Sequence, residues 1–439
     1  MIMSPFPADL VLTPISRWPT TLDPDTVRTV FETPIYRRTG QSMPNALPQM
    51  SIVVVTCEGL LFSRLCLESL LADDPAGDYE VIVVDNGSSD GTVKYLNELA
   101  RLDARVRVAC NDTNIGFAAA SNRGVALARG DILVLLNNDT IVSAGWRARI
   151  VEHLADPQLG LLGVVTNRAG NEAEIEVPYR TSGELRQFAR RHMHIHAGDV
   201  FEIRTVTMFC AALRRDVWTA IGPLDERFEL GLFEDADYAM RVRASGLKVK
   251  CAEDIFVHHF GQATIGKLSA TGEYGRLYHA NRRRWESKWG RTWQPHDRRD
   301  RPEYRKLVEQ IRQHLGEVVP RDATVAVISK GDAELLKLGD RRAWHFPQDE
   351  NGTYAGFYPP DSDACIAELE RLRSQGAEYL VIPATARWWL AHYALFAEYL
   401  QTRYGASVDD DAPATIVWLS AADHSAVQRG PVLPRELAR

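Results

Sequence analysis

Polar residues with the chemistry of a binding site follow three short apolar runs of the sequence. They are Thr56-Cys57-Glu58, Asp85-Asn86-Gly87-Ser88 and Asn137-Asn138-Asp139. A carboxylate at a strand end, beside a turn of Gly and Ser, can accept hydrogen bonds from a ribose or a base while backbone N–H groups stay free. We therefore interpret Asp85 as a ligand-contacting residue and Asp90 as a helix-capping residue.

The Asn137-Asn138-Asp139 turn offers the oxygen ligands that a hard divalent cation requires. Such a cation usually completes its shell with substrate phosphates, so one carboxylate and amide oxygens form a sensible half-site. Two histidines that end a later strand, His258 and His259, are candidate ligands at the edge of this half-site. By itself, an Asn-Asn-Asp sequence is more often a simple polar turn, so the metal interpretation depends on what the fold brings beside it.

Acidic residues open an amphipathic segment that runs from Glu234 to Gly246. Acids in the first turn of a helix complement its dipole by about 0.3 to 1 kcal/mol each, and this explains Asp237. The dipole does not explain why three acids directly follow Gly231-Leu232-Phe233. One of them, such as Asp235, is a candidate general base, because deprotonating a hydroxyl requires a positioned carboxylate.

These residues require a scaffold that brings strand ends together. The β-branched runs at 51–56 and 79–85 are typical of buried parallel strands, and helical spacing follows each of them at 60–72 and 92–101. The alternation continues with strands at 106–110 and 131–137 around a helix at 117–128. Right-handed crossovers would place four strand ends on one edge. The predicted fold class is therefore α/β with a mostly parallel sheet.

At 439 residues the chain is too long for one ordinary hydrophobic core, and two domains are expected. A polar, basic stretch near residue 300 marks the boundary. The predicted organisation is an extended N-terminal arm with eight prolines (1–48), a first α/β domain (49–300), a linker helix (301–319), a small α/β domain (320–422) and a C-terminal tail (423–439).

Composition and charge exclude several classes of protein. A formal net charge of −7 argues against an extended basic surface, so no nucleic-acid partner is expected. Six scattered cysteines have neither zinc-site nor disulfide spacing, which indicates a reducing compartment. With no apolar run of roughly 18 residues and no signal pattern, we expect a cytoplasmic protein without a membrane span. Arginines at 282–284, 298, 299 and 301 are compatible with peripheral contact to an anionic lipid surface.

Seven segments of the sequence form an ordered series. They are 51–56, 83–92, 114–122, 128–140, 222–228, 233–237 and 257–261. Together they resemble the signature of family 2 glycosyltransferases, with the bacterial polysaccharide and rhamnosyl-type enzymes as the most similar subgroup. Each segment alone is a weak signal, but seven in this order make a chance match improbable.

The resemblance implies a GT-A fold and an inverting displacement from a nucleoside-diphosphate sugar, with Mg²⁺ or Mn²⁺ bridging the diphosphate. The acceptor would be a hydroxyl of a glycan or of a lipid-linked saccharide, as in bacterial surface polysaccharide synthesis. The implied nucleotide-sugar-binding residues are Thr56, Glu58, Asp85, Asn86, Asn114, Asn122 and Asn138. Asp139 would be the metal ligand, with His258 beside it unless His259 is the true match. Asp235 would be the catalytic base, next to Glu234.

One feature departs from the family pattern. Many members have two aspartates in the metal motif, whereas Asp139 follows two asparagines. Fewer negative charges weaken cation binding, so metal and donor are expected to bind together. The nucleotide base, the donor sugar and the acceptor depend on poorly patterned segments such as 163–177 and 184–206.

Three other functions are weighed against transfer. A sugar nucleotidyltransferase should have a Gly-rich, Arg-containing loop after the first strand, and a dehydrogenase should have G-x-G-x-x-G there, where this chain has Thr56-Cys57-Glu58-Gly59. A non-catalytic nucleotide-sugar-binding scaffold would keep the fold, although the intact acids at 139, 234 and 235 argue against it.

The second domain resembles one found beside such transferases in bacterial glycan clusters, and no activity follows from that likeness. Lys330, Asp332 and His345 form a second site in one interpretation and serve turns and packing in the other. Trp388 and Trp389 either stack on sugar rings or belong to the core.

Overall fold

The structure is a computed structural model, and it describes residues 5–17, 20–35, 47–73, 78–261, 273–294, 302–349, 351–355, 358–409 and 412–419. The chain divides into two compact units, Met1–Arg299 (unit 1) and Asp300–Arg439 (unit 2). The predicted C-terminal tail, 423–439, lies outside the described residues, as do the arginines at 298, 299 and 301.

Unit 1 alternates strands and helices along the described ranges. Its strands are β1 (Ser16–Arg17), β2 (Thr20–Thr21), β3 (Met50–Thr56), β4 (Tyr79–Asn86), β5 (Val106–Asn111), β6 (Ile132–Asn137), β7 (Thr140–Val142), β8 (Leu159–Val165), β9 (Val200–Glu202), β10 (Cys210–Arg214) and β11 (Lys248–His259). Its helices are α1 (Pro24–Glu32), α2 (Leu60–Asp73), α3 (Thr92–Leu102), α4 (Phe117–Leu127), α5 (Trp146–Leu154), α6 (Ser182–Ile195), α7 (Arg215–Ile221), α8 (Glu234–Ala244) and α9 (Glu273–Trp289), with a 3₁₀ turn at Glu226–Phe228.

The first half of the main sheet is parallel because a helix returns the chain to the same edge after each strand. β3 pairs in parallel with β4 and β6, and β4 pairs in parallel with β5. β3, β4 and β6 are almost entirely buried, because apolar clusters cover both faces of the sheet. Val53 packs into one cluster and Ile52 into the other, as strand alternation requires. The carboxyl ends of the four strands therefore lie on one edge.

The second half of the sheet is mixed. β10 lies antiparallel between β6 and β8, and β11 runs parallel to β8. The end of β11 then pairs antiparallel with β7, which places His259 opposite Thr140. The strand order is β5-β4-β3-β6-β10-β8-β11-β7, with β9 paired to β11. The predicted α/β class with a mostly parallel mixed sheet is confirmed.

The N-terminal segment is not the extended arm predicted over 1–48, because residues 24–32 form α1. The Asp23 side chain caps this helix by accepting a backbone hydrogen bond of the first turn, and Pro24 occupies the first helical position, where its missing N–H has no cost. Leu12 is 1% exposed and belongs to the larger apolar cluster of unit 1. The described part of the segment therefore contributes to the core.

Most of the segment 184–206 is also helical, although its sequence shows little pattern. Thr181 and Glu184 form a capping box at the start of α6, in which each side chain accepts a backbone N–H of the other residue. Leu185 and Ala189 form its buried face at a spacing of one helical turn.

Unit 2 is a smaller α/β domain, as predicted. Its elements are α10 (Pro302–Val318), β12 (Thr324–Val327), β13 (Arg342–His345), α11 (Ser362–Ser374), β14 (Tyr379–Pro383), α12 (Trp388–His392), α13 (Ala394–Tyr404) and β15 (Ala414–Trp418), with 3₁₀ turns at Ala333–Leu336 and Ala384–Ala386. The sheet order is β13-β12-β14-β15, in which β12 is parallel to both neighbours and β15 is antiparallel to β14. None of the helices in the described ranges is long and apolar enough to cross a lipid bilayer.

We expect Leu12→Ala to lower the free energy of unfolding of unit 1 by about 2 to 5 kcal/mol, because truncating a buried leucine removes contacts and leaves a cavity. Denaturant unfolding followed by circular dichroism measures the change. Val11→Ala is the matched control: Val11 is 38% exposed, and its truncation should change the free energy by less than about 0.5 kcal/mol. Equal unfolding midpoints for the two variants would place the segment outside the core.

Candidate active site

Asp85 lies at the end of β4, fully buried, with its carboxylate held by protein donors. Thr56 Oγ1, opposite it on β3, donates to Asp85 Oδ1 over 2.8 Å. Ser88 donates to the same carboxylate through its Oγ (2.6 Å) and its backbone N–H (2.9 Å). These bonds fix the carboxylate and leave acceptor capacity on Oδ2 for a further donor, such as a ligand hydroxyl.

Glu58 lies beside this turn in a strained backbone conformation. Its Oε1 accepts hydrogen bonds from the N–H (2.8 Å) and Oγ (2.9 Å) of Ser89. Its φ of 58° is uncommon for a residue with a side chain, and such strain concentrates at functional sites. Asp90 accepts from the N–H of Leu60 (2.9 Å) and from Thr92. Asp90 therefore holds the turn before α3, whereas the N-cap position predicted for it is occupied by Gly91.

Three asparagines form a network at the ends of β4 and β5. Asn111 Nδ2 donates to Asn86 Oδ1 (2.6 Å), and Asn86 Nδ2 donates to Asn114 Oδ1 (3.2 Å). Asn114 Oδ1 also accepts the N–H of Gly116 (2.9 Å), just before α4. Asn122 has different partners: its side chain bonds both backbone groups of Leu224 at 2.9 Å and so joins α4 to the segment before α8.

The Asn-Asn-Asp turn connects β6 to β7, and the end of β11 closes over it. Asn138 Nδ2 donates to Ser63 Oγ over 2.9 Å. Asp139 is 5% exposed, and its backbone oxygen accepts the N–H of Phe260 (2.9 Å). The Asp139 Oδ1 atom lies 3.3 Å from His259 Nε2. The Asp139 carboxylate in the turn and the His259 imidazole at the end of β11 therefore face each other.

The tautomer of His259 determines what this contact requires. His259 Nδ1 lies 2.7 Å from the backbone oxygen of Arg168, which only accepts hydrogen bonds, so Nδ1 carries the ring proton. In the neutral ring, Nε2 is then a lone pair that faces the Asp139 carboxylate. A proton or a metal cation between the two acceptors makes the contact favourable. Asp139 and His259 therefore fit a metal centre with one carboxylate and one imidazole ligand.

His258 points to the other face of β11, because successive residues of a strand alternate. Its Nδ1 lies 2.6 Å from the Tyr179 hydroxyl, and its Nε2 has no hydrogen-bond partner among the described residues. Burial, with the neighbouring His259, lowers the pKa of His258 to about 3, so the ring is neutral at pH 7. It is therefore His259, and not the predicted His258, that contacts Asp139 in the structure.

Glu234 and Asp235 begin α8 in surroundings that disfavour their charged forms. Glu234 is 7% exposed, and its Oε2 has no hydrogen-bond partner among the described residues. Asp235 Oδ1 accepts the N–H of Ala236 (2.7 Å). Burial raises the pKa of both carboxyl groups, and the charge of Asp235 adds to the rise at Glu234. A carboxylate with a raised pKa is a stronger base, which suits it to accept a proton from a hydroxyl.

Asp237, in the same first turn, is a structural residue. Its fully buried carboxylate pairs with Arg241 (2.9 Å) and Lys288 (2.6 Å) and accepts a hydrogen bond from Trp289 Nε1 (3.0 Å). These partners tie the start of α8 to α9. Because these partners already bind the Asp237 carboxylate, Asp237 is not the candidate general base.

The loop before α8 has an unusual backbone. Three of its residues have positive φ, between 55° and 76°: Glu229, Leu232 and Phe233. The buried amide of Asn281 on α9 holds this loop, because its Nδ2 donates to three backbone oxygens. These belong to Phe228 (2.7 Å), Gly231 (2.7 Å) and Leu232 (3.2 Å). Strain of this kind persists only where surrounding contacts over-determine the conformation.

Sequence reasoning missed Asn281, although a signal was present. Tyr278 and Trp285 lie three residues before and four after it, which puts Asn281 on the apolar face of α9. A lone amide on a buried face must find internal partners. Its partners are far away in the sequence, so only the fold identifies them.

A close approach links this loop to the asparagine network. A Cβ atom added at Gly116 would lie 2.0 Å from the backbone oxygen of Glu229, so only glycine fits there. Gly116 is also bonded to Asn114 and, through its backbone oxygen, to Asn86 (3.2 Å). The loop that leads into α8, and so to Asp235, therefore rests on the carboxyl edge of the parallel strands.

Residues 51–221 match the sequence model of Glycosyl transferase family 2. Protein y4gI of Sinorhizobium fredii is 27% identical over 295 residues, which are 62% of this chain and 32% of that protein. The O-antigen biosynthesis protein RfbC of Myxococcus xanthus is 24% identical over 400 residues, 82% of this chain and 29% of that protein. The chain thus spans about a third of the length of these relatives.

Among solved structures, GalNAc-T7 with UDP, GalNAc and Mn²⁺ is similar with a TM-score of 0.40 and 16% identity, over 48% of this chain and 43% of that chain. Polar side chains at the carboxyl edge of a largely parallel sheet define unit 1 as an α/β domain of the ligand-binding type. Unit 1 therefore contains a region, residues 51–221, that is similar to glycosyltransferase family 2.

We expect Asn281→Leu, which keeps the number and branching of the side-chain heavy atoms but removes the three donated hydrogen bonds, to release the loop before α8. Amides that the loop now protects, those of Glu229, Gly231 and Asp237, should exchange with deuterium at least about tenfold faster. Hydrogen–deuterium exchange mass spectrometry measures this change. Arg283→Leu, at an exposed position of the same helix, is the control. Unchanged exchange in the loop of Asn281→Leu would contradict the anchoring role.

Proposed function

We propose that the chain transfers a sugar, of hexosyl or rhamnosyl type, from a nucleoside-diphosphate sugar to a hydroxyl of a glycan or lipid-linked acceptor, with inversion at the anomeric carbon. The match of residues 51–221 to the family 2 model supports transfer, and the name of RfbC supports surface polysaccharide synthesis as the setting. The observation that carries the proposal is the contact of Asp139 Oδ1 with His259 Nε2, 3.3 Å apart at the carboxyl edge of the sheet.

The nucleoside would lie against the ends of β3 and β4. The Asp85 carboxylate is already oriented by Thr56 and Ser88, and it can accept one more hydrogen bond. Glu58, held against Ser89 beside it, has a carboxylate oxygen, Oε2, for another hydroxyl or base N–H. Asn86, Asn114 and Asn138 lie along the same edge. Asn122 would act indirectly, because its amide bonds Leu224.

Asp139 and His259 would hold Mg²⁺ or Mn²⁺. When bound, the cation would offset the negative charge of the diphosphate, in the donor and in the departing nucleoside diphosphate. The protein supplies one carboxylate here, because Asn137 and Asn138 are neutral. The remaining charge has to come from the diphosphate, which supports joint binding of metal and donor.

Asp235 would be the general base. The acceptor oxygen would form a bond to the anomeric carbon as the bond from that carbon to the diphosphate oxygen breaks, while the hydroxyl proton moves to Asp235. Burial keeps the carboxyl pKa high enough for this proton transfer near neutral pH. Glu234, one residue earlier, would be a second buried carboxyl group beside Asp235 and would not contact the reacting atoms.

Asp235→Asn should lower kcat by about 100- to 10,000-fold, the usual contribution of a general base, and leave donor binding within a few-fold. Single-turnover transfer and calorimetry of the donor measure the two quantities. Asp216→Asn, whose carboxylate is largely exposed on α7, is the control. An Asp235→Asn variant that still transfers sugar would remove Asp235 from the role of base.

Asp235 also sets the pH dependence of kcat/KM. Because Asp235 must be deprotonated to act, and because burial raises its pKa, kcat/KM should fall as pH decreases through a value above the ordinary range of an aspartate, about 3.9. A pH profile with no acid limb above that range would contradict the assignment.

Metal and donor should bind together. In a thermal-shift panel of UDP-, GDP- and dTDP-sugars with Mn²⁺ or Mg²⁺, one donor plus metal should stabilise the protein more than the sum of the two added singly, and that donor should then be hydrolysed. Asp139→Asn should abolish the joint effect. Tight binding of Mn²⁺ to the nucleotide-free protein in calorimetry would contradict joint binding. No response to any nucleotide would favour a non-catalytic scaffold.

A further inference from the structure

The residues singled out in unit 2 are bonded within that unit. Asp332 caps the 3₁₀ turn after β12 by accepting from the N–H of Glu334 (2.8 Å). Lys330 Nζ donates to the backbone oxygen of Thr385 over 3.1 Å. Trp389 is fully buried in an apolar cluster. These contacts favour turn and packing roles over a second site.

A cluster of three potential metal ligands lies in unit 1, where the end of α6 meets β11. His192 and His196 are one helical turn apart at the end of α6, and Glu253 belongs to β11. One nitrogen of each ring and one Glu253 carboxylate oxygen all lie within 4.8 Å of one another. Both rings are partly exposed, whereas Glu253 is 4% exposed. The fold therefore brings two imidazoles and a carboxylate from distant parts of the sequence to one place that solvent reaches.

The backbone of β11 changes its course where it carries Glu253. The ladder between β11 and β8 is irregular between Ala252 and Phe256, and the N–H of Glu253 donates to the backbone oxygen of Asp199 (2.9 Å). Irregularities of this kind re-aim side chains within a sheet. The carboxylate of Glu253 is thereby directed to α6 in a buried position, where a negative charge is costly unless positive charge lies beside it.

Other contacts orient the two rings. His192 Nε2 lies 2.9 Å from the backbone oxygen of Glu253, and His196 Nδ1 lies 3.2 Å from Asp199 Oδ2. Phe188 stacks on the His192 ring, with 5.5 Å between the ring centres. A metal-binding histidine usually has one ring nitrogen held by a carbonyl or carboxylate oxygen, which fixes the orientation of the ring. Both histidines have such a contact.

The kind of ligand and the position in the helix determine which cation fits. Imidazole nitrogens favour zinc and similar transition metals, whereas Mg²⁺ and Mn²⁺ prefer oxygen ligands. The cluster lies at the carboxyl end of α6, where the helix dipole favours positive charge. Tetrahedral zinc, with bonds of about 2.0 to 2.2 Å, needs ligand atoms about 3.3 to 3.6 Å apart. The three side chains would have to close by up to about 1.5 Å, which the partly exposed His196 permits.

We propose that His192, His196 and Glu253 bind a zinc ion that joins the end of α6 to β11. Water completes the coordination shell from the exposed side. The role is structural, because the ion would hold a helix terminus against a strand. Glu253 lies six positions before His259 on β11, so this site is separate from the contact of His259 with Asp139. The proposal does not depend on the reaction proposed for unit 1.

The test is calorimetry of Zn²⁺ with the full chain, which is first treated with a chelator and kept under reducing conditions. One zinc ion should bind per chain. His196→Ala and Glu253→Gln should each weaken binding at least about tenfold, because each removes a ligand. His194→Ala, which removes an exposed histidine of the same helical turn, should leave binding within twofold. Circular dichroism checks that each variant is folded.

Two further measurements locate the ion. Zinc should slow hydrogen–deuterium exchange at the amides of His196 and Asp199, which are bonded at the end of α6. Asp139→Asn should keep zinc binding within twofold, and His196→Ala should keep donor hydrolysis with Mn²⁺, which separates this site from the candidate active site.

The proposal would be overturned if the chain bound no zinc, or if His196→Ala and Glu253→Gln bound it as tightly as the unaltered chain. It would equally be overturned if Glu253→Gln alone left binding unchanged, since the metal would then be held by a surface pair of imidazoles only. Zinc binding that is lost in Asp139→Asn but kept in His196→Ala would also contradict it.

Discussion

The pairing of β7 with the end of β11 is the constraint on which the candidate active site depends. β7 has only three residues, yet its ladder places His259 opposite Thr140 and so brings the imidazole to Asp139. An irregularity in the ladder between β11 and β8, after Ala252, accompanies the departure of β11 from its parallel neighbour. Asn167 fixes the end of β11 by exchanging two hydrogen bonds with the backbone of His259, at 2.8 and 3.1 Å. The contact between ring and carboxylate is thus set by backbone geometry.

The same edge accommodates backbone strain, which other contacts offset. Glu58 and the loop at 229–233 adopt left-handed conformations, and in both places side-chain hydrogen bonds hold the backbone. For the loop, Asn281 supplies donors from a buried position on α9, and Gly116 allows the close approach of the loop to α4. Local preference and tertiary structure disagree at these positions, and such disagreement is expected where side chains are held for binding or chemistry.

Both units place polar side chains at the carboxyl ends of parallel strands. Backbone groups and side chains there do not take part in the hydrogen bonds of the sheet. Connections that diverge from neighbouring strands leave a space above the strand ends. The chemistry differs between the two edges. Unit 1 presents buried acids and a histidine, which suits a charged donor and its cation. Unit 2 brings Ser329 and His345 together and bonds Lys330 to the backbone after β14. A shared architecture therefore does not imply a shared ligand.

The sequence by itself determined the α/β class, the parallel strands and the ends of those strands, because apolar periodicity and β-branched runs are local signals. It also singled out Asp85 and Asp139, which lie at the ends of strands, and Asp235, which lies at the start of a helix. It could not find α1, because the prolines around that helix suggest an extended chain, or choose between His258 and His259, since adjacent residues differ only in the face they occupy. That choice needed the register of β11 against β7. The partners of Asn281 likewise became visible only in the tertiary structure, because hydrogen bonds between distant segments leave no local pattern.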